Sequence, residues 1–169
     1  VLTHLDWTLH PRRWTLPAHA PAAQVAPIVC SWPSGRWFTM DEASPRLLGT
    51  RCKKCGTYFF PREQTFCRNP GCTGTELEEV KLSDRGTLWS FTNNCYQPPA
   101  PYVSPDPFEP YAVAAVELAN EKMVVLGQVA KGFQVADLKA GMEMKLVLET
   151  LFEDGESRHI VWKWKPAAA

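Results

Sequence analysis

The chain has 169 residues, 45% of them hydrophobic and 21% charged, and its 18 basic and 18 acidic side chains cancel. Such a chain makes one or two small globular units; no stretch is long and apolar enough to cross a membrane and no secretory leader is read, so membrane and secreted classes give way to a cytoplasmic one. The neutral total is uneven: Lys plus Arg against Asp plus Glu number 3 and 1 in residues 1–38, 6 and 4 in 39–77, and 9 and 13 in 78–169.

Residues 1–38 stand apart in composition. They hold four of the seven Trp and three of the four His, and Pro11, Pro17, Pro21, Pro27 and Pro33 interrupt any helix or central strand. Two readings stay open: an extended arm that docks Trp7, Trp14, Trp32 and Trp37 on another protein, or non-native sequence. His4, His10 and His19 lack metal-ligand spacing and read as solvated, and Cys30 and Cys95 read as idle thiols. From Thr39 a short helix is expected through Leu47 and Leu48, because Thr39, Asp41 and Glu42 resemble a helix start and Gly49 a stop.

Within residues 39–77, Cys52-Lys53-Lys54-Cys55-Gly56 is answered by Cys67-Arg68-Asn69-Pro70-Gly71-Cys72. Two tight cysteine pairs offer four thiolates to one ion, the tetrahedral set that zinc prefers, so Cys52, Cys55, Cys67 and Cys72 are the candidate ligands of a structural zinc ribbon. Gly56 and Asn69-Pro70-Gly71 supply the turns. Two disulfides, four unrelated thiols, or iron in place of zinc are the alternatives. Four protein thiolates leave no open position, which makes the metal a structural one.

Residues 78–169 read as strands. Met142, Met144, Leu146 and Leu148 alternate with polar residues, as do Ile160, Trp162 and Trp164. Further strands are expected at Gly86 to Tyr96, Tyr111 to Leu118 and Met123 to Ala130, with a helical turn over Asp137 to Gly141 and a hairpin turn at Glu153-Asp154-Gly155-Glu156. Five strands with a small helix before the fourth predict a closed OB-fold barrel, giving a mainly β protein in three parts: 1–38, 39–77 and 78–169.

No nucleophile, acid–base or phosphate-loop grouping is found, and His159 falls on the polar register of its strand. The stretch from Tyr96 to Tyr111 holds six prolines, and Tyr96, Tyr102, Phe108 and Tyr111 give it aromatic surface. It reads as a docking loop for a partner or a substrate channel; the alternative is a loop folded back over its own barrel. Between Arg85 and Lys122 there is no Lys or Arg. A zinc ribbon beside an OB barrel first suggests single-stranded nucleic acid, but a barrel of net charge −4 with cation-free aromatics suits an apolar protein surface or an acyl group better.

Together, Arg51-Cys52-Lys53-Lys54-Cys55-Gly56-Thr57-Tyr58, the pair Cys67 and Cys72, Gly86-Thr87-Leu88-Trp89-Ser90-Phe91-Thr92, the proline-rich loop, Tyr111-Ala112-Val113-Ala114-Ala115-Val116-Glu117-Leu118 and the Asp137-Leu138-Lys139-Ala140-Gly141-Met142 turn resemble a known family over about residues 40–166. It is the rubredoxin-like zinc-ribbon plus OB-fold family, the domain of unknown function thirty-five, with the actinobacterial steroid side-chain aldolase complexes as the nearest comparison. The resemblance implies a subunit, or a C-terminal domain of a longer hydratase chain, that binds a thiolase-fold thiolase or aldolase acting on acyl-coenzyme A thioesters. A hetero-oligomer with no catalytic residue of its own is the expectation, and an independent acyl-CoA-binding protein the alternative.

Overall fold

The computed structural model describes residues 37–100, 102–153 and 158–168. The readings made for residues 1–36, including Trp7, Trp14, Trp32, His4, His10, His19 and Cys30, lie outside the described residues, as does the turn at 154–156.

Eight strands are described. β1 (Leu48–Cys52), β2 (Tyr58–Phe59) and β3 (Leu77–Lys81) form an antiparallel ribbon in the order β2-β1-β3. β4 (Arg85–Asn94), β5 (Tyr111–Leu118), β6 (Met123–Val129), β7 (Glu143–Glu153) and β8 (Arg158–Pro166) close a barrel in the order β4-β5-β6-β8-β7. Neighbours are antiparallel except β6 and β8, and β4 pairs with β7 to complete the ring. Closure leaves the barrel without a free edge. This is the five-stranded barrel expected from the alternation, with the helical element in its expected place between β6 and β7 but as a 3-10 turn over Val135–Asp137, two residues early.

Alternation explains which side chains fill it. Ala112, Ala114, Val116 and Leu118 of β5, Val125 and Val129 of β6, Met144 and Leu146 of β7, and Ile160 and Trp164 of β8 are buried in one cluster. Successive strand residues face opposite sides, so Val113, Ala115 and Glu117 line up outside with Gln128, Leu126 and Val124 of β6.

The helix expected through residues 39–48 is absent. Asp41 Oδ1 accepts from the backbone N–H of Ala43 and Ser44, at 3.0 and 3.3 Å, as a helix-capping side chain would. The chain then returns in extended form: Thr39 N–H donates to Arg46 O at 2.8 Å, and Phe38 pairs with Leu47. A capping signal also fits a turn, and the Ser44-Pro45 step disfavours helical backbone at Ser44. Burial of Phe38 and Leu47 in the common core decides between them.

Ribbon and barrel share that core. Trp162 of β8 meets Trp37 and Phe38 with ring centroids 5.7 Å away and Phe60, just beyond β2, at 6.0 Å. At the crossing from β3 to β4, Leu82 is fully buried and donates its N–H to Leu47 O, while Glu121 accepts from the N–H and hydroxyl of Ser83 at 2.9 and 3.0 Å. The aromatic contacts tie the end of the first segment to both later ones.

Candidate metal centre and aromatic loop

Cys52 ends β1 and opens the first knuckle. Its N–H donates to Thr57 O at 2.9 Å and its carbonyl accepts from Gly56 N–H at 2.8 Å, closing a turn that Gly56 completes at φ 75°, a conformation costly for residues with a Cβ. In the second knuckle Cys72 N–H reaches Asn69 O, Gly71 N–H reaches Asn69 Oδ1, and Cys67 N–H reaches Gly74 O. Asn69 also donates from Nδ2 to Thr57 Oγ1 at 3.1 Å, joining the knuckles. A Cβ on Gly74 would lie 3.0 Å from Cys52 Sγ and 3.3 Å from Cys72 Sγ, so a side chain there would crowd the sulfur cluster.

All four sulfurs lie within 4.8 Å of one another, with Cys52 to Cys72 at 3.9 Å and Cys55 to Cys67 at 3.5 Å. A tetrahedron of ~2.3 Å metal–sulfur bonds has edges of about 3.8 Å, and both spacings are far beyond a sulfur–sulfur bond of ~2.0 Å. The cysteines are free thiols brought to one point, which sets the disulfide alternative aside. Their proton affinities diverge: the hydrogen bond with Thr57 lowers the Cys55 thiol to about 6, whereas burial pushes Cys67 up to about 12 and Cys72 also lies above the ordinary thiol value. Thiolates this close repel, so full ionisation calls for a cation between them. The residues fit a four-coordinate metal.

The loop between β4 and β5 is folded onto the outer wall of the barrel. Tyr102 stacks on Tyr111 at 6.1 Å, Phe108 meets Tyr111 edge-on at 6.2 Å, and Gln128 Nε2 of β6 donates to Tyr102 Oη at 3.0 Å. Burial is the main cause that raises the Tyr111 phenol above its usual value. Of the four aromatic positions singled out in this loop, three are thus half-buried and hold the loop in place, and Tyr96 is 72% exposed. Val103, Trp89 and Leu126 are also exposed. Trp89 sits in the bulge beside Ser90, which is level with Ala115 and Leu126, so an apolar row continues along the outer face of β4, β5 and β6.

Sequence reasoning missed one charged pair. Lys163, on the polar register of β8, has a side chain only 5% exposed, and its Nζ lies 3.0 Å from Glu149 Oε2. Glu149 also accepts from Lys131 N–H at 3.1 and 3.3 Å. Position between Trp162 and Trp164 was the available signal. His159, placed on the polar register of its strand, is half-buried and stacked on Phe152 at 4.1 Å.

With this geometry established, comparison with known proteins is specific. The family model for the ChsH2 rubredoxin-like zinc ribbon domain matches residues 41–78, and that for the ChsH2 C-terminal OB-fold domain matches residues 79–149. A DUF35 domain-containing scaffold protein of Methanocaldococcus jannaschii is 34% identical over 123 residues, covering 70% of this chain and 79% of the relative. The benzoylsuccinyl-CoA thiolase subunit BbsA of Thauera aromatica is 50% identical over 54 residues, 32% of this chain and 35% of BbsA. Among solved structures, a chain of the Ltp2-ChsH2(DUF35) aldolase superposes with a TM-score of 0.51 at 28% identity, covering 72% of this chain and 85% of that one. Both modules, their order and the cysteine cluster agree with these matches, and the chain belongs to the DUF35 family of ChsH2-type zinc-ribbon and OB-fold proteins.

Proposed function

We propose that this chain is a non-catalytic accessory subunit or domain that binds and supports a thiolase-fold enzyme, a thiolase or an aldolase, acting on acyl-CoA thioesters. The observation that carries this reading is the likeness of the ribbon and barrel together to a scaffold protein and to a chain of an aldolase, with a thiolase subunit matching over a shorter stretch. Zinc is the proposed metal, held by Cys52, Cys55, Cys67 and Cys72 as a closed structural centre; when bound it fixes the two knuckles and leaves no coordination position for substrate.

The exposed apolar side chains supply a partner surface. Tyr96 and Val103 project from a loop that Tyr102, Phe108 and Tyr111 hold against the barrel, so little loop entropy is lost on docking. Trp89 and Leu126 extend that surface along the sheet. This outer row of the barrel carries Glu117 and no Lys or Arg between Arg85 and Lys122, which favours a protein over a phosphate backbone. The acyl-CoA is shared with the partner, whose own cations bind the coenzyme's phosphates, and steroid side chains are the substrate class carried over from the resemblance. The cytoplasm is the proposed compartment.

Affinity purification of the tagged chain, with mass spectrometry of what accompanies it, tests the reading. A stoichiometric thiolase-fold protein is expected, and Tyr96→Ala combined with Trp89→Ala should weaken its retention at least tenfold if these are anchor residues. Recovery of nucleic acid, lost on adding salt, would sink the proposal.

A further inference from the structure

Beside the folded loop, the outer end of the barrel opens into a cleft of about 890 Å³, within the range of small-ligand sites. One wall is the loop with Tyr102 and Tyr111. The other is the segment after β6 with Phe133, together with Phe152 at the far end of β7. Aromatic residues therefore line the cleft on both sides.

Two polar groups in this lining are not fully used. Ser104 Oγ is buried and has no hydrogen-bond partner among the described residues. Lys163 lines the cleft with a side chain 5% exposed, and among the described residues the only acceptor for its three N–H donors is Glu149. A buried hydroxyl is normally satisfied, so the unpartnered Ser104 Oγ, in the same cleft as the spare N–H donors of Lys163, points to an occupant that brings oxygen.

Charge decides what kind of oxygen. Lys131 and Lys163 are balanced by Glu109 in the lining and by Glu149 behind Lys163, leaving no net positive charge. A carboxylate would surrender its hydration to a site already neutral, an unfavourable exchange. An uncharged carbonyl oxygen gives up far less on burial and still accepts from an ammonium or hydroxyl.

We infer that this cleft binds an uncharged ring compound bearing a carbonyl oxygen, stacked between the aromatic walls with its oxygen at Lys163 and Ser104. The site belongs to this chain alone and works without a partner or coenzyme A, so it stands or falls apart from the accessory role.

The test titrates the metal-loaded full chain with 2-acetylnaphthalene and, separately, with 2-naphthoate, following backbone amide signals by NMR. These probes share a ring system and differ in charge. Saturable shifts at Ser104, Gln128, Lys131 and Phe133 are expected with 2-acetylnaphthalene, and binding of 2-naphthoate at least about tenfold weaker. Ala136→Trp fills the cleft from an exposed position without touching the ion pair, and should abolish the shifts while leaving the rest of the spectrum in place. The double variant Lys163→Met with Glu149→Leu, which leaves no lone buried charge, should bind about tenfold more weakly. No saturable shift for either probe, equal or tighter binding of 2-naphthoate, or unchanged binding by Ala136→Trp would each overturn the assignment.

Discussion

Replacing Trp162 by alanine tests whether the metal ribbon and the barrel stand as one unit. Its indole meets Trp37 and Phe38 at 5.7 Å and Phe60 at 6.0 Å, so a single truncation removes the ring through which the chain entry, ribbon and barrel touch. Truncating a fully buried aromatic costs about 3–5 kcal/mol, and each ring pair contributes about 0.5–1.5 kcal/mol beyond area burial. Trp162 is half-buried, which lowers the packing part, and the expected loss is about 3 kcal/mol. Urea unfolding of the metal-loaded protein, followed by circular dichroism and by metal release to a chromogenic chelator, reads both modules. In the wild type the two signals should coincide, as in a cooperative single transition. In Trp162→Ala metal release should come first. A loss below about 1 kcal/mol, or metal release that already precedes barrel unfolding in the wild type, would refute the shared-core argument.

Elemental analysis of protein prepared without chelator should find one zinc per chain, and Cys67→Ser should lose it and disorder both knuckles. Because Cys67 is pushed up to about 12 and Cys72 is also raised, the metal-free cluster holds protons at pH 7. Zinc binding should therefore release protons, measured by calorimetry in buffers of different ionisation enthalpy, and tighten as pH rises; pH-independent binding would count against a thiolate site. Lys163→Met alone should cost about 1–3 kcal/mol by taking the cation from the half-buried Glu149 carboxylate, which keeps only the Lys131 N–H, with much of that regained when Glu149→Leu is added; equal losses in both variants would mean the two side chains do not act as a pair. Tyr111, raised mainly by burial, should leave stability unchanged below pH ~10 and lower it as pH climbs from there toward the folded-state value, because the unfolded chain loses the phenol proton first. Tyr111→Phe should flatten that alkaline limb.

Much of the molecule was legible from local chemistry. Spacing alone brought the four cysteines together, and β5 runs over Tyr111–Leu118 as alternation predicts. The failures share a cause, since each depends on what another part of the chain covers. Asp41 caps two N–H groups as expected, but the pairing of Phe38 with Leu47 turned the segment into a return loop. Lys163 lies on the outward register, and its pairing with Glu149 of the neighbouring strand β7 is not encoded in the sequence of β8. Tyr102, Phe108 and Tyr111 were recognisable as an aromatic set. That Tyr102 rests on the barrel depends on Gln128, 26 residues beyond it, and no local pattern encodes that contact.

The accessory role is tested most directly by acyl-CoA turnover of the thiolase-fold partner, measured as carbon–carbon bond formation or cleavage with and without this chain. This chain alone should turn over nothing, the partner alone should be inactive or short-lived, and mixing should restore activity, less so with Tyr96→Ala and Trp89→Ala combined. Turnover by this chain alone, or a partner fully active and stable without it, would overturn the accessory role.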